Sequence, residues 1–297
     1  MELWVWLAVA AAFVQTLRFM VQKHLASVGL GAVGATLARF LYAAPLAVLG
    51  LALYSGGVLP SLQPAFWINA FAGGAAQILA TICVVAVFAH RNFAVGITLK
   101  KTEVILTALA GFLVLGDRIS GPGAAALAIG FLAVLLLSDP PEGQGRFWAR
   151  ILNRAAGLGI LSGVFFAVSA VAYRGATLEV LSDDPVLRAG LTLAVVSVGQ
   201  TLGLSLWMAV RTPADLVRVF AAWRIAAFAG ALSVVASFFW FWAFTLERAA
   251  YVFAVGQIEL VLSLAAATLF FRERVMPREL LGIAGLTLSI LGVVIWG

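Results

Sequence analysis

Charge is what this sequence has least of. Only 11% of its 297 residues are Asp, Glu, Lys or Arg and 63% are hydrophobic; soluble domains carry roughly 25% charged and about 45–50% apolar residues. No water-soluble shape of this size buries so much apolar surface, so the solvent must be lipid. Cysteine is nearly missing: Cys83 stands alone, which excludes an intramolecular disulfide and every multi-thiolate metal site. Two histidines, His24 and His90, are too few for a histidine-built metal centre. The sequence lacks His-Glu-x-x-His, Gly-x-Ser-x-Gly and any aspartate pair within its apolar runs, which argues against an intramembrane enzyme. It also lacks a Gly-x-x-x-x-Gly-Lys phosphate loop. No metal and no cofactor is expected. The net charge of +6 and the pI near 10.1 come from basic residues scattered between apolar runs. They form no stripe that would neutralise phosphates, so nucleic acid is not an expected partner.

What is present is a series of long apolar runs. Crossing an apolar layer of about 30 Å takes roughly 20 helical residues. Ten stretches qualify, near 3–22, 32–53, 66–89, 93–115, 120–138, 155–176, 186–210, 223–245, 249–271 and 277–296. Such runs predict helices, because in lipid every backbone group must be paired within its own segment. The first run resembles a signal peptide only faintly, since no basic residue precedes it, and it is read as an uncleaved span. Gly159 with Gly163, and Gly199 with Gly203, are small residues four apart, a spacing that lets helices approach closely. Gln77 and Gln200, polar residues in the third and seventh runs, are expected to hydrogen-bond between helices.

The chain repeats itself. Phe71-Ala72-Gly73 recurs as Phe228-Ala229-Gly230 at an offset of 157, and Glu103 and Arg118 recur as Glu259 and Arg274 at 156. Pro122 and Gly130 recur as Pro277 and Gly285 at 155. The expected organisation is a first five-helix repeat over 1–140, a polar linker over 141–154 and a second repeat over 155–297. Five is odd, so the second repeat must be inverted relative to the first: an all-α integral membrane protein of ten transmembrane helices in two inverted five-helix repeats, a transporter architecture. Counting basic residues in loops puts Lys23, Arg91, the linker arginines, Arg211, Arg218, Arg224, Arg272, Arg274 and Arg278 on one side. Arg118, Arg174 and Arg248 fall on the other. The positive-inside rule makes the first side cytoplasmic and leaves both chain ends outside.

Two short loops, Leu115-Gly116-Asp117-Arg118-Ile119 and Phe271-Arg272-Glu273-Arg274-Val275, each lead into a last helix with glycines, Gly130 in one half and Gly282, Gly285 and Gly292 in the other. With the duplication, this resembles the drug/metabolite transporter superfamily, EamA type, over nearly the whole chain. Val104 and Leu260 stand where members often have a proline. The resemblance implies a multi-pass protein of the cell inner (plasma) membrane, a monomer or homodimer surrounded by lipid. It implies a secondary active transporter of a small organic metabolite, such as an amino acid or organic anion, working by alternating access and coupled to protons. The alternative is a flippase, or flippase subunit, for lipids or lipid-linked carriers. In that case the basic residues would hold headgroups.

Charges inside the spans are functional candidates because each costs about 2.5–3.5 kcal/mol at a helix centre. Glu103 and Glu259 each lie about ten residues into a run, near the midplane at roughly 1.5 Å per residue. Thr107 and Ser263 follow four residues later on the same faces. Desolvated carboxyls there can exchange protons near neutrality; the rival reading is that each neutralises a buried base. Lys100 shares a face with Glu103, while Lys101 points about 100° away. A lysine here binds a substrate anion or snorkels toward the interface. Arg39, a third of the way into the second run, is a candidate anion ligand; the rival readings are a structural ion pair or a lipid headgroup contact. Arg18 shares a face with Gln15 and Gln22. Arg18, Gln77, Phe238 and Trp242 are candidate cavity walls, the last two from the aromatic run of the eighth stretch. Arg174, Arg188 and Lys23, near span ends, are expected to snorkel.

Overall fold

The structure is a computed structural model that describes residues 2–88, 100, 103–138, 154–269 and 277–296. The linker, the start of the fourth predicted run, Arg91 and the loop from Phe271 to Val275 lie outside the described residues.

The described chain is helical. In order come α1 (Leu3–Leu25), a π-helical turn (Ala26–Leu30), α2 (Gly31–Ser55), α3 (Pro64–Phe88), α4 (Glu103–Leu115) and α5 (Gly121–Ser138). They are followed by α6 (Arg154–Leu178), α7 (Pro185–Arg211), α8 (Pro213–Ala221), α9 (Trp223–Leu246), α10 (Ala249–Val255), α11 (Ile258–Leu269) and α12 (Pro277–Trp296). Six helices, α1, α2, α3, α6, α7 and α9, are long and apolar enough to cross a membrane. Many large apolar side chains, such as Leu53, Ile68, Leu113 and Leu206, point outward. That surface is stable only against lipid.

Two expectations need correction. The ninth stretch, expected as one run over 249–271, is broken. α10 ends at Val255 and α11 starts at Ile258, with the chain between them held by Gln257 N donating to Ala254 O (3.1 Å) and Glu259 N to Gly256 O (3.0 Å). A side chain at Gly256 would collide with the Trp240 indole, so the backbone passes that ring only as glycine. The break puts Glu259 in the first turn of α11, where amide donors without intrahelical partners favour a carboxylate. The segment after Thr212-Pro213 is also more than a loop: α8 is a short amphipathic helix whose buried Val219 packs against Gly34 of α2.

Packing is reciprocal between the two parts of the chain. α1 lies on α9 while α3 lies on α6; α11 contacts α1 while α4 contacts α6; α5 pairs with α12. The last pair meets through small residues. A Cβ on Gly285 or Gly292 would come within 2.9 Å of Ala133 or Ala126, and Ser289 Oγ donates to Ala126 O at 2.7 Å. Of the glycine pairs singled out in sequence, Gly203 has nothing near it and Gly199 makes only ordinary contact with the Phe71 ring.

One face is tied together across the two parts. Gln63 N donates to Glu179 O and Leu181 N to Ser61 O, both at 3.1 Å, and Tyr54 Oη donates to Asp184 Oδ2 at 2.8 Å. Gly116 has a left-handed φ of +69° that turns the chain after α4, and Asp117 N closes the turn on Gly111 O at 3.2 Å. Asp117 then meets Arg174 at 3.3 Å. Arg174 does not snorkel; its Nη1 caps the end of α9 through Phe244 O (2.7 Å) and Glu247 O (2.6 Å). Arg188 likewise turns inward, donating through Nε to Thr177 O at 2.7 Å. Charge-assisted bonds of this kind contribute about 1.5–3 kcal/mol each. Arg174→Gln is therefore expected to cost about 2–4 kcal/mol, read as a lower unfolding midpoint in detergent, whereas the exposed Arg218→Gln should leave it unchanged within about 0.5 kcal/mol.

Candidate functional site

The charged residues of the spans converge. Lys100 is 1% exposed, and its Nζ donates to Glu259 Oε2 at 3.0 Å and stands 3.6 Å from Glu103 Oε1. One ammonium thus lies between two carboxylates from opposite parts of the chain. The Phe19 and Phe166 rings flank it, 5.1 and 4.9 Å from Nζ, which places a cation against negative ring faces. α1 completes the cluster. Gln15 Nε2 donates to both Glu259 oxygens at 3.4 Å, and Gln15 Oε1 accepts from Trp240 Nε1 (3.1 Å) and Arg18 Nη2 (3.2 Å). Two donors on its oxygen fix which way this amide points. Arg18 also donates through Nη1 to Gln22, which holds Ala35 O at 3.1 Å. The face shared by Gln15, Arg18 and Gln22 is therefore one polar ladder along α1.

Arg39 sits apart from this network. It is 2% exposed, and its guanidinium donates to three hydroxyls: Ser233 Oγ at 2.9 Å, Thr81 Oγ1 at 3.1 Å and Ser237 Oγ at 3.4 Å. None of these is charged. Ser233 and Ser237 are four residues apart in the mostly apolar α9, a spacing that puts both on one face; the sequence carried that signal. Gln77 and Gln200 do bond between helices: Gln200 Nε2 donates to Gln77 Oε1 (3.0 Å), Gly74 O (3.1 Å) and Tyr173 Oη (3.2 Å).

Lys100, Glu103, Gln15, Arg39 and Gln77 all line one central cavity, with Ser169 and Ser237. The remaining wall is aromatic, from Phe166 and Tyr173 of α6, Trp240, Phe241 and Phe244 of α9, and Phe253 of α10. Its free volume is about 20 Å³, room for one or two waters. Glu259 and Arg18 act from behind that surface. Thr107 gives its hydroxyl to the Glu103 backbone carbonyl of its own helix at 2.6 Å. Phe238 and Trp242 are not on this cavity. Phe238 lies on a separate apolar groove of about 360 Å³ between α2, α7 and α9, and Trp242 packs on Phe238 at 5.7 Å. Lys101 lies outside the described residues, as does the side chain of Ser263. Among the wall residues that sequence reasoning passed over is Trp240, which sits among five other aromatics of the same run with nothing in the pattern to separate it from them.

Residues 153–295 match the model of the EamA-like transporter family. Residues 153–295 are thus an EamA-like region, of a family that belongs to the drug/metabolite transporter superfamily. No curated protein matches it. Among solved structures, one described only as "Crystal structure of protein" superposes with a TM-score of 0.69 at 13% identity, over 98% of this chain and 96% of that one. That likeness is one of fold. The match and the six long apolar helices together point to a multi-pass membrane protein of the transporter kind.

Proposed function

We propose that this chain is a secondary active transporter that carries a small organic metabolite across the inner (plasma) membrane by alternating access, coupled to protons. The observation that carries the proposal is the buried triad in which Lys100 serves both Glu103 and Glu259. Two buried carboxylates meet one ammonium, and protonating either one weakens its hold on Lys100. Because the carboxylates come from α4 and α11, protonation changes the attraction between the two parts of the chain. The reciprocal packing of α1 on α9 and α3 on α6 supports the reading of ten spans in two inverted repeats, with the cavity between them. The broken ninth span fits this scheme, since discontinuous helices at midplane sites are a recurring transporter device. The tied face around Arg174 is then a closed gate. It carries Glu2, Asp117, Glu179, Asp183, Asp184 and Glu247 against Arg118, Arg174, Arg188 and Arg248. The opposite face has Lys23, Arg211, Arg218 and Arg224, and the positive-inside rule makes that face cytoplasmic.

The test is uptake into proteoliposomes. Glu103→Gln and Glu259→Gln each remove a charge while keeping shape. Each is expected to abolish uptake driven by a pH gradient while still allowing exchange of substrate at equal pH. If both variants accumulate substrate as the wild type does, the carboxylates do not carry the proton.

A further inference from the structure

One buried cation on the cavity wall has no acidic partner among the described residues. Within the spans the sequence offers two acids, Glu103 and Glu259, and at least three deep bases, Arg18, Arg39 and Lys100. Both acids are engaged by the same ammonium, and Glu259 also receives the Gln15 amide. Arg39, 2% exposed and on the same cavity wall, donates to the hydroxyls of Ser233, Thr81 and Ser237 and lies 4.6 Å from the Phe40 ring centroid, with no carboxylate against it among the described residues. A guanidinium out of water is costly unless an anion pairs with it, and its planar fork matches a carboxylate. The same cavity is lined by six aromatic side chains, among them Trp240, Phe241 and Phe244.

Resting on the transporter reading above, we propose that the substrate is a small organic monoanion, a carboxylate on an apolar or aromatic body, whose carboxylate docks on Arg39 while the body lies against Trp240, Phe241 and Phe244. A substrate ammonium has no matching place, because the acids at the cavity already hold Lys100. A free volume of about 20 Å³ means that the cavity must widen to admit such a molecule, which opening of one face provides. One proton on the triad and one carboxylate on Arg39 together make an electroneutral load.

The test uses the purified full-length protein and three probes that share one body: phenylacetate, phenethylamine and phenylalanine. Phenylacetate is expected to raise the apparent melting temperature in a saturable way, since a ligand stabilises the state it binds, and the other two to do so at least tenfold more weakly. Stabilisation led by phenethylamine or phenylalanine, or by none of the three, overturns the proposal without any variant being made. Arg39→Gln should remove the phenylacetate effect and Arg39→Lys should keep part of it. Equal stabilisation of Arg39→Gln and wild type also overturns the assignment. Phenylacetate uptake under a pH gradient is measured in parallel. Saturable binding that depends on Arg39, without pH-driven uptake, leaves the anion site standing and removes proton coupling instead.

Discussion

Lys100→Met is expected to lower the stability of the folded protein by about 3–5 kcal/mol, the usual cost of removing one partner from a buried ion pair. Methionine keeps the length and most of the volume of lysine, so packing against Phe19 and Phe166 changes little. What changes is that Glu103 and Glu259, 2% and 0% exposed, lose the ammonium at 3.6 and 3.0 Å. The same substitution in a Glu259→Gln background should cost far less, because one of the two carboxylates that Lys100 serves has gone and the glutamine still bonds to Gln15. A double-mutant cycle on unfolding in mixed detergent micelles reads this coupling directly. A coupling below about 0.5 kcal/mol, the level at which independent sites add, would mean that Lys100 and Glu259 do not share one charge network.

The second large effect concerns packing. Gly230→Ala is expected to destabilise more than Gly73→Ala, although the two glycines occupy equivalent places in the repeated Phe-Ala-Gly. At Gly230 an added Cβ falls 2.5 Å from Tyr42 Cβ, 2.8 Å from the Tyr42 carbonyl carbon and 3.0 Å from Ala43 N. Backbone cannot rotate away, so α2 and α9 must separate and the hydroxyls of Ser233 and Ser237 move off Arg39. Overpacking of this kind costs about 1–3 kcal/mol and at times more. At Gly73 the added atom meets the Tyr173 ring at 2.7–2.8 Å and the Ala172 Cβ at 3.1 Å; the ring can tilt, and no backbone atom is among these contacts. We expect Gly230→Ala to lower the unfolding midpoint clearly and to weaken ligand binding at Arg39, with Gly73→Ala losing less of both. Equal midpoints for the two variants would contradict the close α2–α9 contact.

Much of this was legible in the residues. The apolar runs located α1, α2, α3, α6, α7 and α9 to within a few positions, because lipid demands long, self-paired helices and leaves little choice of element. The pairing of Lys100 with Glu103 followed from helical spacing, as did the ladder of Gln15, Arg18 and Gln22. Other features were hidden for physical reasons. The break at Gly256-Gln257 is enforced by the Trp240 indole from another helix, and no local pattern records a ring that arrives from elsewhere. α8 is too short and too polar to register as an apolar run. Arg174 looked like a side chain free to reach the interface, yet carbonyls at the end of α9 and the Asp117 carboxylate draw it inward.

By itself the sequence determined the solvent, the element type and the list of charges that must be buried at a cost, because these depend on composition and local period. It also carried the duplication that points to two related halves. Only the tertiary structure decided that Lys100 answers to both glutamates, that Gln15 supports one of them, and that Arg39 donates to three hydroxyls. Those partners are separated by up to 244 residues along the chain. Which charges neutralise each other is set by distances of a few ångströms between helices, and helical periodicity says nothing about which helices meet.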